Sequence, residues 1–462
     1  MSIPPNVADR LAQKGIDYQI LEDLEIAPLH QVSSSPQIDK SQIVQVIVLQ
    51  DPVGKVQLLL PSNCLLDLQD LCTATNRNWQ AISPSGFAEL ARIQDVGLTP
   101  GLPICDKLPL LVDQRLLKPA CLFLELGDSG QFLKLEQAEF SKLVCEANIC
   151  DSCVPLPKIN VNQDDRQTVV DSVKRFTSLR VKRRLEETLE MPPLPNTAER
   201  IIQLRINPDA GAGDLAEVVE QDPSLAAQVV SWASSPYYAA PGAIKSVHDA
   251  VIRVLGFDLV INLSLGLALG KTLTLPESGP HGAFSYWRQA VYSATLMEGL
   301  VKAISSDYRP EMGLAYLSGL LSNYGYLVLA HIFPPYFSKL NRDIEANPHL
   351  DSFYIEQNSL GVDRETLASQ LMECWNMPEE IIVALRWQHH PEFSGEHSVY
   401  SRLLHISHQL LRSTGMAPGP VHSIPDAYFQ ALHLDRDDAH SVLNNLVSKQ
   451  DELLKIAKTM AS

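Results

Sequence analysis

Residues 191–238 read MPPLPNTAERIIQLRINPDAGAGDLAEVVEQDPSLAAQVVSWASSPYY, and this stretch decides the fold of the second half of the chain. Asp222 followed by Pro223 is an N-cap with proline at the first helical position, where a missing N–H costs no hydrogen bond. Asn196 with Glu199, and Asp214 with Glu217, each set a capping side chain three residues ahead of an acid. That is capping-box spacing. Three helix starts lie close together, with no strand pattern between them.

Outward toward the C-terminus the helical pattern continues. Val247–Leu255 ends at Gly256, a C-cap glycine. Further helical patterns cover Ser285–Ile304, Met312–His331, Arg364–Trp375, Pro378–His389 and Ser401–Arg412. A loop runs from Ser413 to Pro425, and Asp437–Met460 reads as one terminal helix. The pair Val247–Leu255 and Asp258–Leu269 has the outline of a helix-turn-helix. Its second helix, DLVINLSLGLAL, offers no Arg or Lys to a base edge, so it reads as core and DNA is not expected as a partner.

Outward toward the N-terminus the pattern changes. Asn6–Gly15 reads as a short helix stopped by glycine. Ile43–Leu49, the turn Asp51-Pro52-Val53-Gly54 and Val56–Leu60 form a hairpin signal. Leu65–Cys72 looks helical. Cys121–Leu126, the turn Gly127–Gly130 and Phe132–Leu135 form a second hairpin, and a helix follows over Gln137–Val144. These predict an α+β domain with a mixed or antiparallel sheet. Asp151–Val161 is a connector. Asn162–Glu190 reads as one helix, with Val169, Val173 and Phe176 at helical spacing. Its cations, Lys174, Arg175, Arg180, Lys182, Arg183 and Arg184, have Glu186, Glu187 and Glu190 nearby. They read as a solvated face rather than an RNA contact. The expected organisation is 1–150, connector 151–190, helical domain 191–412, and loop and helix 413–462.

Composition sets limits. The 462 residues are 45% hydrophobic and 20% charged, with a formal net charge of -17. That acidity argues against a general phosphate-coating surface. The apolar run Leu259–Leu269 is about half the length a bilayer needs and carries Asn262 and Ser264. No signal-peptide pattern opens the chain, so a cytoplasmic protein is expected. Of the 8 cysteines, Cys145, Cys150 and Cys153 have C-x4-C-x2-C spacing. Without a fourth ligand nearby they read as linker thiols rather than a metal or cluster site.

Met191–Tyr238, IKSVHDAVIRVLGFDLVINL (Ile244–Leu263) and GLLSNYGYLVLAHIFP (Gly319–Pro334) together resemble the HDOD family over about Leu189–Arg412. This family is related to HD phosphohydrolases, whose His and Asp side chains hold divalent metals that activate water. The resemblance implies where those ligands would stand. The positions hold Gln289, the pair Ser322-Asn323, Arg364 and His408, and His389 and His390 remain. Neutral amides and a fixed guanidinium are a poor metal set. An alternative zinc set of His389, His390, His405 and His408 is weighed against histidines at ordinary helical positions, which is the preferred reading.

GIDYQILEDLE (Gly15–Glu25), the strand at Ile43, VGLTPGLP (Val96–Pro103), LPLLVD (Leu108–Asp113) and Cys121–Leu135 together resemble the YbaK-like aminoacyl-tRNA deacylases over about Pro5–Val144. That family has a functional Lys in the strand. The matching position here is Gln45, which can hydrogen-bond but brings no charge. The family's Gly-Pro loop is partly kept as Gly97, Pro100 and Gly101, whose amides could polarise a carbonyl, or which serve as turn residues.

The sequence therefore predicts a regulatory or signal-transduction protein with two degenerate enzyme scaffolds. It would bind a protein partner or a small signalling ligand, with tRNA a candidate at the N-terminal domain. No metal, cofactor, DNA or membrane is expected. The candidate ligand-binding residues are Gln45, Gly97, Pro100, Gly101, His389 and His390. The alternative is an aminoacyl-tRNA deacylase with a regulatory HDOD domain. A nucleotide phosphohydrolase is opposed by Ser322-Asn323.

Overall fold

A computed structural model of the chain describes residues 5–21, 38–82, 108–125, 132–157, 165–176, 194–238, 242–273 and 282–461. The chain divides into two units. The first holds Met1–Ile159 with Ser338–Ser359, and the second holds Asn160–Phe337 with Leu360–Ser462.

The first unit is built on a mixed sheet. Its strands are β1 (Gln19–Leu21), β2 (Ile43–Asp51), β3 (Gly54–Pro61), β4 (Cys64–Leu66), β5 (Gln80–Ala81), β6 (Leu110–Asp113), β7 (Cys121–Glu125), β8 (Phe132–Glu136), β9 (Asn148–Cys150) and β10 (Cys153–Pro155). The order is β1-β8-β7-β2-β3-β6-β9, with β5 on β2, and β10 pairs β4 separately. The β2–β3 and β7–β8 pairs are antiparallel, whereas β2–β7, β3–β6 and β6–β9 are parallel. Both predicted hairpins are present, although the residues between β7 and β8 lie outside those described. The first hairpin turn is held by the Asp51 carboxylate, which accepts from the amides of Val53 and Gly54 at 2.9 Å each and pairs with Arg77. The Arg77 pairing holds its pKa down at about 2.

The parallel strands explain the dense Ile, Val and Leu content, because both sheet faces are covered. Val44, Leu59, Leu122, Leu124, Leu133 and Leu135 pack with Leu11 and Phe140 on one face. Ile47, Leu49, Leu58 and Leu60 pack on the other with Leu68, Leu71, Trp79 and Ala346. Ala346 belongs to the 338–359 segment, which is stitched into this unit by hydrogen bonds. Asn347 accepts from the Leu66 amide at 2.7 Å and donates to the Leu66 carbonyl at 3.1 Å, completing the free side of β4. His349 Nε2 donates to the Cys64 carbonyl at 3.0 Å, and burial pushes its pKa down to about 4, so it stays neutral. Linear order along the sequence could not have placed this segment against a sheet whose strands lie almost three hundred residues earlier.

One helix prediction in this unit needs correcting. Leu65 and its neighbours form strand β4, and the helix starts only at Leu68, where Asp67 caps it through the Asp70 amide at 2.9 Å.

Among the described residues, the second unit is all-helical. Asp222 caps helix Pro223–Ala233 from two amides, as its sequence requires. The other two predicted caps are displaced. Helix Asn196–Ile206 begins after Pro195 without a side-chain cap, so Asn196 lies in its first turn. Helix Ala212–Glu220 begins at Gly211, whose amide is held by Asp214 at 2.8 Å. Residues 247–255 start as α-helix and finish as a π turn before Gly256, whose φ of 81° is the left-handed geometry expected of a terminating glycine. Helix Phe257–Gly270 is buried at every position from Leu259 to Gly270, in line with a core role. Burying each of its leucines contributes about 2 kcal/mol. The long patterns split: Met312–Leu321 and Tyr324–Ile332 are separate helices, as are Arg436–Ser448 and Gln450–Ala461. Within 162–190 the described helix is Asp165–Phe176, and the cations from Arg180 onward lie outside the described residues. No described helix is long and apolar enough to cross a membrane.

Candidate functional site

Three of the positions that the HDOD resemblance assigns to metal ligands, Gln289, Asn323 and Arg364, meet in the second unit. Ser322 and Asn323 occupy the break between helices Met312–Leu321 and Tyr324–Ile332. Arg364 opens helix Arg364–Cys374, which Asp363 caps through the Thr366 amide at 2.7 Å. Gln289 comes from helix Ala283–Ala303. These side chains bond to one another. Arg364 Nη1 donates to Asn323 Oδ1 at 3.1 Å, and Asn323 Nδ2 donates to Gln289 Oε1 at 3.3 Å. The guanidinium also lies over the Tyr326 ring, 5.0 Å from its centroid. Gly325 permits this approach, since a Cβ there would collide with the Arg364 carbonyl oxygen.

Around this chain the remaining candidates separate. Ser322 is buried; its hydroxyl lies 3.5 Å from that of Ser293, and its carbonyl accepts from Gln388 at 3.2 Å. His389 Nε2 lies 3.1 Å from Glu365 Oε1, and its ring centroid is 6.4 Å from that of His408. His390 turns elsewhere, with Nδ1 3.2 Å from Glu392 and its ring edge-on to Trp387 at 5.8 Å. His405 is buried, with Nδ1 3.1 Å from the Gln388 carbonyl. Of the four histidines of the zinc alternative, His389 and His408 are neighbours, whereas His390 packs on Trp387 and His405 faces the Gln388 carbonyl. Among the described residues, no group of three His, Cys, Asp or Glu is placed to hold a metal ion.

Glu365 was missed in the sequence. It is 5% exposed, and its Oε2 has no hydrogen-bond partner. The available signal was its adjacency to Arg364, a second charge entering the same helix start. Chemically, the cluster can donate and accept hydrogen bonds around a fixed positive charge. That charge repels a divalent cation, and amide oxygens are weak ligands for the metals that hydrolases use.

In the first unit, Gln45 is half-buried in β2 opposite Leu60. Gly97, Pro100 and Gly101 lie outside the described residues. Of the three spaced cysteines, Cys145 is exposed while Cys153 is buried. Burial pushes the Cys64 and Cys150 thiols up to about 11 each, and raises Cys153 further with Asp113 beside it, which keeps all three protonated.

The HDOD domain family model matches residues 191–391, and this chain belongs to that family. A solved protein from Marinobacter aquaeolei VT8, named as a candidate for signal transduction, is 41% identical with a TM-score of 0.85, each chain covering 100% of the other. An HDOD domain protein from Geobacter sulfurreducens is 20% identical and shares the fold, with a TM-score of 0.51 over 64% of this chain and 99% of that one. An uncharacterized protein of Treponema pallidum (strain Nichols) is 24% identical over 248 residues, which are 51% of this chain and 47% of that protein. The chain thus spans about half the length of the curated relative it matches.

Proposed function

We propose that this is a regulatory protein of the signal-transduction class, acting by binding a protein partner or small signalling ligand rather than by metal-dependent hydrolysis. One observation carries the reading: Arg364, at a position the family resemblance assigns to a metal ligand, is hydrogen-bonded to Asn323, which in turn bonds Gln289. A guanidinium already hydrogen-bonded to a neighbouring amide favours a fixed scaffold over an open coordination sphere. The signalling name of the Marinobacter relative supports the same class.

The test is metal analysis of the purified protein together with hydrolysis of a phosphodiester under manganese and zinc. The expected result is sub-stoichiometric metal and no metal-stimulated turnover. Stoichiometric metal that disappears in His389→Ala would refute the proposal. A parallel assay with mischarged aminoacyl-tRNAs addresses the first unit, where ester loss above background is not expected. Ester loss that vanishes in Gly101→Ala would instead establish the deacylase reading.

A further inference from the structure

A second polar feature of the helical unit lies apart from the Arg364 cluster. A cavity of about 390 Å³ is lined by Tyr237, Tyr238, Thr295, Glu298, Lys302 and Lys449, with Gly299, Val442, Asn445 and Leu446 completing the wall. Drug-sized ligands occupy pockets of roughly 300–1,000 Å³. Thr295, Glu298 and Lys302 project from one face of helix Ala283–Ala303 at i, i+3 and i+7. The tyrosines come from the turn Pro236–Tyr238, and Lys449 stands at the break between helices Arg436–Ser448 and Gln450–Ala461.

The chemistry of this lining is unequal. Glu298 is 3% exposed, accepts from Lys302 through one oxygen and from the Tyr238 hydroxyl at 3.3 Å through the other. Trp232 Nε1 holds that hydroxyl in place at 3.1 Å. Lys302 is therefore neutralised. Lys449 is not paired with a carboxylate in the cavity; its ammonium rests 4.7 Å from the Tyr237 ring centroid. The Thr295 hydroxyl is buried at 2% exposure and has no hydrogen-bond partner. Leaving a buried hydroxyl unpaired costs about 1–3 kcal/mol, so a group that supplies its partner is favoured. Burial raises the pKa values of Tyr237 and Tyr238, with Glu298 adding to both, so each hydroxyl remains a donor.

We propose that this cavity binds a small, flat-ringed anion bearing hydroxyl groups. Its ring replaces the Lys449 ammonium against Tyr237, and its anionic group pairs with Lys449. Its hydroxyls donate to the free lone pairs of Glu298 and to Thr295. Nucleoside monophosphates and hydroxylated aromatic acids share this chemistry. The proposal does not depend on the Arg364 cluster, so its failure would leave the reading of that cluster intact.

Titration calorimetry of the full chain with adenosine monophosphate and, separately, 3,4-dihydroxybenzoate tests it. At least one probe is expected to bind, and the one that does identifies the source. Lys449→Ala should weaken binding about tenfold and Thr295→Val several-fold. Lys449→Ala changes one side chain at a helix junction, and circular dichroism would verify its fold. Absence of heat with both probes at about 1 mM, or binding indifferent to Lys449→Ala and Thr295→Val, would overturn the proposal.

Discussion

The helical unit contains two polar clusters that engage their cations in different ways. Around Arg364, cation, amide and amide are joined end to end, and the glycine beside them lets backbone close against backbone. Around Glu298, a carboxylate is half engaged, a hydroxyl has no partner, and open volume remains. One cluster spends its cation and amides on one another. The other has kept the space and the unmet hydrogen-bonding capacity.

The sharpest way to break this contrast uses two glycines. Gly325→Ala drives a methyl into the Arg364 carbonyl, which cannot move without shifting a helix, and should cost about 3 kcal/mol in urea denaturation. Gly299→Ala meets only the Val442 side chain, which can rotate into the cavity, and should cost about 1 kcal/mol or less. Equal losses would mean that both sites are equally tightly packed.

A smaller contrast comes from the polar groups themselves. Asn323→Leu removes the hydrogen bonds to both Arg364 Nη1 and Gln289 Oε1 and should destabilise by about 2 kcal/mol. Thr295→Val removes an unpaired hydroxyl while keeping its shape, so unfolding should be unchanged or slightly harder. A destabilised Thr295→Val would reveal that its hydroxyl is already satisfied. The smallest effect separates the two cations. Arg364→Ala should lower stability by about 1–2 kcal/mol through its hydrogen bond and ring contact, whereas Lys449→Ala should cost about 0.5 kcal/mol. Chemical denaturation of the two variants side by side decides between them.

Much of the local structure was legible in the sequence. Asp222-Pro223 marks a helix start that no other conformation serves as well, and the β-branched runs flanking Asp51–Gly54 leave a hairpin as the natural solution. The caps at Asn196 and Asp214 were misread because spacing alone does not say which polar side chain faces an amide. Pro195 and Gly211 took the boundary positions. The breaks at Ser322-Asn323 and at Lys449 were hidden because apolar periodicity runs across both. Each break matters to a site: one puts Asn323 within reach of Arg364, the other sets Lys449 over Tyr237.

By itself the sequence determined the helical character of residues 191–462, the hairpins of the first unit and the chemical identity of the altered ligand positions. These follow from capping, side-chain periodicity and residue type, which act within a few residues of one another. Only the tertiary structure decided that Gln289, Asn323 and Arg364 touch, that the 338–359 segment completes the first unit, and that Thr295 and Glu298 share a cavity with Lys449. Those outcomes depend on close packing between segments far apart in the chain, where a few tenths of an ångström separate a filled site from an open one.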